Sequence, residues 1–207
     1  MSPRAVGMGE AGVASYDDVL GSMSLNPAGL GPHSRPETAF TYNRWFEDIS
    51  LQQMAYAHPS LRWGTAALSV QRFSVSPIAG YDDSGAPAGG VEAGGTAVGG
   101  AYARRLGASA GDRRLGTFLG AGGMFVRQVL AGAVGSAFLF DAGVLQILTL
   151  GPGHFSAGAS ARSLGPGLRY DAVTDPSPTV YRFGMGYSLP VFQNALTAVY
   201  DIRRPSD

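Results

Sequence analysis

The chain has 207 residues with 31 glycines, no cysteine and zero net charge, and only 14% of its residues are charged. Soluble domains usually carry about 25% charged residues, so this content is low. The absence of cysteine excludes disulfides, thiolate zinc clusters and thiol nucleophiles. The neutral balance gives no electrostatic footprint for nucleic acid. The length suits one domain, or one β-barrel with ordinary loops.

One helix is predicted, over residues 10–24, where apolar residues recur at helical spacing. Asn26-Pro27 ends it, because a residue before proline is pushed out of the helical region. No apolar run approaches the roughly 20 residues that a spanning helix needs. The first seven residues also have no apolar stretch of the kind a signal peptide carries.

From Glu37 onward the sequence predicts strands separated by turn signals. We expect nine strands, near residues 37–45, 49–58, 62–73, 95–106, 115–127, 135–148, 154–163, 178–189 and 194–202. Most connections are tight. Ser74–Gly94 is predicted as a long loop, and Gly165–Ser177 as a loop with a short extended arm. Short turns that alternate with longer loops are typical of outer-membrane barrels.

The strands have one apolar face and one small or polar face. The clearest case runs from Thr179 to Leu189 and places five apolar residues on one face: Tyr181, Phe183, Met185, Tyr187 and Leu189. The opposite, small or polar face of this segment carries Arg182. Similar alternation places Ser69 and Gln71 on that face in 62–73, and Asp141 on that face in 135–145. A soluble sandwich and a membrane barrel can both use this pattern.

Aromatic residues recur near the predicted strand ends, where a membrane barrel carries its interfacial girdle. Ordinary core aromatics at strand edges are the alternative. The residues concerned are Trp45, Phe46, Trp63, Phe73, Phe125, Tyr187 and Tyr200.

Residues with catalytic or metal-binding chemistry do not form a constellation. The three histidines lie in or beside turns, which predicts surface or interface roles for His33, His58 and His154. Asp82-Asp83 lacks the ligand spacing of a calcium loop. Arg104-Arg105 and Arg113-Arg114 bracket a loop and suit either a lipid headgroup interface or loop solubility. We therefore predict no enzyme activity, no metal and no cofactor.

Several short segments resemble PorV/PorQ-type proteins, a UPF0164-type family within the superfamily of the long-chain fatty-acid transporter FadL. The first is an N-terminal stretch with Arg4–Ser15, Asp17-Asp18 and Asn26-Pro27-Ala28-Gly29-Leu30, and its Asn-Pro-Ala motif after a small-residue helix is the most specific. The likeness continues, in order, over nearly the whole chain. Its other segments are Asn43–Ser50, Ile78–Asp82, Ala101–Gly107, Leu164–Asp171, Asp175–Thr179 and Arg182–Tyr187.

The resemblance implies an all-β fold, an antiparallel up-and-down outer-membrane β-barrel of roughly fourteen strands in the family. Residues 1–32 would be an N-terminal helical plug, in which Asn26, Pro27, Ala28 and Gly29 make the turn into the first strand. Residues 33–207 would form the wall. Ser69, Gln71, Asp141 and Arg182 would then face the lumen. Because only nine strands and no signal peptide are seen, we expect a fragment that lacks its signal and its C-terminal hairpins.

The resemblance also implies a location in the bacterial outer membrane and a part in type IX secretion, with secretion-system proteins and cargo as partners. A FadL-like channel for hydrophobic ligands is the first alternative. A soluble β-rich structural protein is the second. Outer-membrane lipid is a partner in both barrel hypotheses, and nucleic acid in none.

Overall fold

A computed structural model describes residues 2–45, 49–60, 62–107, 112, 114–170 and 173–206, with the side chains of 77, 78, 88, 91, 92 and 173 left aside. The N-terminal part contains three short helical elements. They are α1 (Pro3–Gly7), α2 (Val19–Leu25) and a 3₁₀ helix (Pro27–Leu30). None of the helices in the described ranges is long and apolar enough to cross a bilayer.

The rest of the chain forms one antiparallel sheet of eleven strands. The strands are β1 (Glu37–Arg44), β2 (Ser50–Ser60), β3 (Gly64–Tyr81), β4 (Pro87–Arg105), β5 (Gly116–Leu130), β6 (Ala133–Leu150), β7 (Gly153–Leu164), β8 (Leu168–Tyr170), β9 (Val173–Asp175), β10 (Val180–Val191) and β11 (Asn194–Pro205). Nine long strands pair in an up-and-down order, β1 to β7 and then β10 and β11. These nine match the nine predicted strands and confirm the all-β, up-and-down prediction.

The sheet curves around the N-terminal segment, residues 2–32. The amide of Val13 donates to Asp201 on β11 at 2.9 Å, and the amide of Val19 donates to Glu37 on β1 at 2.9 Å. Six residues span at most about 21 Å. In a flat sheet, nine strands would place β1 and β11 about 38 Å apart. The two edges therefore approach each other around the segment.

The core lies between the segment and the inner face of the sheet. Val19, Leu20 and Leu30 pack on buried alanines of β2, β3 and β4. Ala14 and Ala28 pack on side chains of β5 and β6. Because alanine and glycine are small, their positions on the inner face of the sheet let the N-terminal segment lie close to the strands.

The sheet is not closed into a barrel among the described residues. There, β1 pairs only with β2, and β11 pairs only with β10. The architecture of the described residues is an up-and-down sheet that curves around an inner segment. Closure stays a prediction.

The predicted helix over residues 10–24 is wrong in its first half. Gly9 and Glu10 have positive φ of 66° and 62°, a left-handed turn that ends α1 and that a right-handed helix cannot contain. Asp18 then caps α2. The missed α1 has a sequence signal, since Ser2 caps it and Pro3 occupies its first turn.

The predicted long loop between Ser74 and Gly94 is also wrong, because β3 and β4 extend through it as a hairpin. Asp82 closes the tight turn, where its Oδ1 accepts from the amides of Ser84 and Ala86, both at 2.9 Å. Glycines at 89, 90, 94 and 95 hide the alternation that would reveal a strand.

The predicted alternation of short turns and long loops is only partly present. The arm within Gly165–Ser177 forms β8 and β9, and β8 pairs with β6. This arm lies at the same end as the β3–β4 extension, opposite the end at which β1 begins. At that same end, however, β5 and β6 are joined by a turn of Ala131-Gly132.

Candidate functional site

The outer face of the sheet exposes large apolar side chains on eight of the nine long strands. Examples, in strand order, are Phe40, Met54, Leu68, Val98, Phe125, Phe140, Phe183 and Tyr200. The ninth strand, β7, presents half-buried alanines there. Contiguous exposed apolar area of this extent marks a surface that contacts lipid or protein.

Strand pairing arranges the outer face into rows. One row, here the polar row, contains the mutually paired and exposed residues Gln52, Arg72, Thr96, Arg127 and Ser136. Two residues further along each strand lies the apolar row, whose members are Phe40, Met54, Val70, Val98, Phe125 and Phe138. On the outer face, side chains therefore change from polar to apolar within two residues along a strand, whereas neighbouring strands carry side chains of the same kind at the same level.

The outward side chains agree with the predicted faces of three segments. On β10, Tyr181, Phe183 and Met185 are exposed, whereas Tyr187 and Leu189 are half-buried. The other two segments show the same agreement over 65–72 and 135–145, where inward residues are buried or half-buried and outward residues are exposed. Phe73, on the inward side of the alternation, is nevertheless 39% exposed.

The aromatic residues are placed less regularly than predicted. Trp45 and Trp63 lie beyond strand ends and are exposed, as expected for a girdle. Phe73, Phe125 and Tyr200 lie inside β3, β5 and β11, so the prediction of strand-end positions is wrong for them. Phe46 lies outside the described residues.

The four residues predicted to face a lumen all lie on the inner face, which packs against the N-terminal segment. Ser69 is buried and Gln71 is half-buried on β3. Asp141 and Arg182 lie on the inner faces of β6 and β10, where each contacts a charged partner. That this face lines a lumen stays a prediction.

The predicted turn Asn26–Gly29 joins the N-terminal segment to the sheet. Asn26 is fully buried, and its Nδ2 donates to the carbonyls of Val13 at 2.8 Å and Val144 at 3.0 Å. Its Oδ1 accepts from the amide of Ala28 at 3.0 Å. One side chain therefore caps the 3₁₀ helix, ties two parts of the segment together and binds β6.

The same turn lies directly on two paired glycines of the wall, Gly120 of β5 and Gly143 of β6. A Cβ at position 120 would lie 2.3 Å from the amide nitrogen of Ala28, and one at position 143 would lie 2.0 Å from Oδ1 of Asn26. Only glycine permits this backbone approach.

Replacing Asn26 by alanine removes all three hydrogen bonds and leaves the Val144 carbonyl without this buried donor. We expect Asn26→Ala to lower the free energy of unfolding by about 2 kcal/mol. Guanidinium unfolding followed by tryptophan fluorescence measures it. Asn194→Ala, at the exposed first residue of β11, is the matched control and should change little. Equal effects of the two substitutions would contradict the assigned role.

Charged groups hold the first part of the segment to the last two long strands. Arg182 Nη1 donates to the Glu10 carbonyl at 3.0 Å, and Arg203 Nη1 contacts Glu10 Oε2 at 3.1 Å. Asp201 Oδ2 accepts from the amides of Gly12 and Val13. Sequence reasoning missed Asp201, because nothing in its neighbourhood signals a partner 189 residues away.

A second ionic contact lies deeper. Arg162 of β7 forms an ion pair with Asp141, with Nη2 3.0 Å from Oδ2, and both side chains are only 12% exposed. Arg162 Nη1 also donates to the Met23 carbonyl of α2 at 2.7 Å. The pair therefore connects β6, β7 and the N-terminal segment.

Residues with reactive chemistry stay apart. Within the described ranges no three His, Cys, Asp or Glu side chains come together in a way that could hold a metal ion. The Asp82 carboxylate is occupied by its own turn. A surface or interface role is predicted for His33; its side chain is only 5% exposed and contacts Glu37 of β1, which leaves the interface role. Arg105, predicted for a lipid headgroup interface or a soluble loop, has Nε and Nη1 buried.

No protein-family model matches the chain, and no curated protein matches its sequence.

Proposed function

We propose that this chain is an outer-membrane wall protein of the PorV/PorQ type, whose outer face contacts lipid and whose N-terminal segment is a plug. The observation that carries the proposal is the exposed apolar face on eight of the nine long strands, beside which the polar row lies on β2 to β6. In water such a face favours aggregation, whereas in hydrocarbon it is the stable arrangement.

The length of the apolar stretches supports the proposal. On β5 the outer residues between Thr117 and Arg127 are Leu119, Ala121, Gly123 and Phe125, and none is charged. On β11 the stretch between Asn194 and Arg204 is equally free of outward charge. A tilted strand crosses hydrocarbon in about 9–11 residues, which these stretches approach.

We propose a part in protein export, as a type IX secretion-associated component in contact with secretion-system proteins and cargo. The family assignment rests on the sequence resemblance. The inner face favours export over passage of hydrophobic molecules, because Asp141, Arg162, Arg182 and Asp201 lie on it. A path for apolar ligands would need an apolar lining.

Two positions on one strand test the lipid contact. Val98 of the apolar row and Thr96 of the polar row lie on the same face of β4, and both are exposed. We expect Val98→Arg to destabilise the chain in lipid vesicles by about 2 kcal/mol, because arginine is costly inside the hydrocarbon and tolerated near the interface. Thr96→Arg should change the stability by less than about 1 kcal/mol. Reversible urea unfolding in vesicles gives both values.

A water-exposed face would behave differently. There both arginines would be solvated, and Val98→Arg would raise solubility without a stability cost. Equal stability of the two variants in vesicles, with the wild type recovered in solution without detergent, would contradict the membrane proposal. Co-purification of outer-membrane complexes with the intact gene product tests export separately; absence of any secretion component or cargo would count against that role alone.

A further inference from the structure

The polar row carries two arginines that flank one threonine. Arg72 of β3 and Arg127 of β5 each pair with Thr96 of β4, and all three residues are exposed on the outer face. Directly paired residues on neighbouring strands lie about 5 Å apart, so the two arginine Cα atoms are about 10 Å apart. Because an arginine side chain is long enough to cover half of that distance, both guanidinium groups can reach one small group above Thr96.

An open groove of about 490 Å³ begins at this threonine and extends away from the apolar row. Six of its ten lining residues belong to the outer face: Arg72, Ser74, Gly94, Thr96, Arg127 and Val129. Gly94 lies between Ser74 and Val129 and leaves room there, since it has no side chain. The inward-facing neighbours Gln71 and Gln128 do not line the groove, so it opens on the outer face.

The positive charge beside the groove is not compensated by the chain. Neither of the two arginines forms an ion pair or a hydrogen bond with another described residue. Arg169 of β8 pairs with Ser136 of the polar row and adds a third exposed arginine on the same face. The described carboxylates of the long strands all lie on the inner face: Glu37, Asp141 and Asp201. The groove therefore suits an anion that comes from outside the chain.

On the other side of Thr96 the outer face of β4 continues with Val98 and Gly100. Gly100 pairs with Gly123 of β5, so two glycines lie next to each other on the outer face. Leu68 and Phe140 pair with these glycines from either side, and both are exposed. The result is a shallow apolar trough that begins two residues from the arginine pair. An alkyl chain that follows β4 fits this trough.

We propose that Arg72 and Arg127 together bind the phosphate of an anionic lipid headgroup, while an acyl chain of the same lipid lies in the trough along β4. Guanidinium groups suit phosphate because they donate two parallel hydrogen bonds to it. A zwitterionic headgroup has the same phosphate, but the two arginines repel its cation. The site therefore selects a headgroup with net negative charge. This inference rests on the proposed contact of the outer face with lipid and is independent of the export role.

Fluorescence quenching beside the trough tests the proposal. A bimane label at Leu68→Cys lies next to Gly100, and a reference label at Phe183→Cys lies on the outer face of β10. The chain is reconstituted into phosphatidylcholine vesicles that contain brominated lipids. At position 68 we expect brominated phosphatidylglycerol to bind at least about fivefold better than brominated phosphatidylcholine, because each arginine attracts an anionic headgroup. At position 183, which has no arginine pair beside it, the ratio should stay below about twofold.

Substitutions show whether the two arginines share one phosphate. Arg72→Gln and Arg127→Gln should each lower the preference at position 68 to below about twofold, and the double variant should lower it little further. Arg104→Gln is the matched control, because Arg104 is exposed on the same face of β4, four residues from Gly100 in the opposite direction from Thr96. It removes the same charge and should leave the preference unchanged.

The outcomes separate this site from the proposed membrane contact. Quenching of both labels by brominated phosphatidylcholine, without a preference for phosphatidylglycerol at position 68, would overturn the site and leave the membrane contact standing. Quenching of neither label by either lipid would contradict both. An equal loss of preference in Arg104→Gln and Arg72→Gln would show a general effect of charge and overturn the paired site. Separate losses that multiply in the double variant would contradict a shared phosphate.

Discussion

Gly120→Ala should detach the N-terminal segment from the wall and cost more than about 3 kcal/mol of unfolding free energy. The added methyl carbon would lie 2.3 Å from the Ala28 amide nitrogen and 2.3 Å from the Pro27 carbonyl carbon. Both are backbone atoms, so no side chain can rotate away. Either the 3₁₀ helix or β5 has to move. Guanidinium unfolding in detergent micelles, together with proteolysis of residues 2–32, measures the change.

The matched control is Gly100→Ala on β4. A Cβ at this position would point to the outer face and meet Leu68 at 3.4 Å, an ordinary contact. Because glycine inside a strand is less stable than alanine by about 0.5–1 kcal/mol, this change should be neutral or stabilising. Equal destabilisation by both substitutions would show that the contact with the N-terminal segment is not the reason why position 120 needs glycine.

Asp141→Asn is the second substitution with a large expected effect. It removes the charge opposite Arg162 where both side chains are 12% exposed. It also replaces one carboxylate oxygen by an amide NH2 that cannot accept, although Oδ1 accepts from Arg162 Nε at 3.2 Å and from the Ser163 amide at 2.8 Å and Oδ2 contacts Arg162 Nη2 at 3.0 Å. Breaking a buried ion pair on one side costs about 3–5 kcal/mol, because the remaining charge is left without compensation. Chemical unfolding of the purified chain measures it.

A double variant shows whether the cost comes from the unpaired charge. Asp141→Leu combined with Arg162→Met removes both charges and keeps apolar volume. We expect it to be at least about 2 kcal/mol more stable than Asp141→Asn. If the double variant is as unstable as the single one, the hydrogen bond from Arg162 to Met23 O, and not the ion pair, holds this part of the wall.

The outer surface could be predicted from the sequence because it depends on a local rule. Alternate residues of a strand face opposite sides, so Tyr181 and Phe183 could be assigned to one face and Arg182 to the other without any knowledge of neighbours. The Asn26-Pro27 turn was also predictable, since asparagine and proline favour that geometry by themselves.

The contacts between the N-terminal segment and the wall could not be predicted in this way. Asp201 accepts hydrogen bonds from Gly12 and Val13, and Gly120 lies under Pro27, at separations that no local pattern encodes. The burial of the Arg105 guanidinium was missed for the same reason. In the sequence, Arg104-Arg105 is typical of an exposed pair. Only the alternation along β4 distinguishes them, because it places Arg104 on the outer face and Arg105 on the inner face.

The lipid contact of the outer face is tested most directly by spin labels, since the chain has no cysteine of its own. Labels would be attached at Phe183→Cys on the outer face and at Asn194→Cys, the exposed first residue of β11, in protein reconstituted into vesicles. We predict that the label at 183 is relaxed more by oxygen than by a water-soluble nickel complex, and that the label at 194 shows the reverse. Greater nickel accessibility at 183 than at 194 would contradict a face that contacts the bilayer.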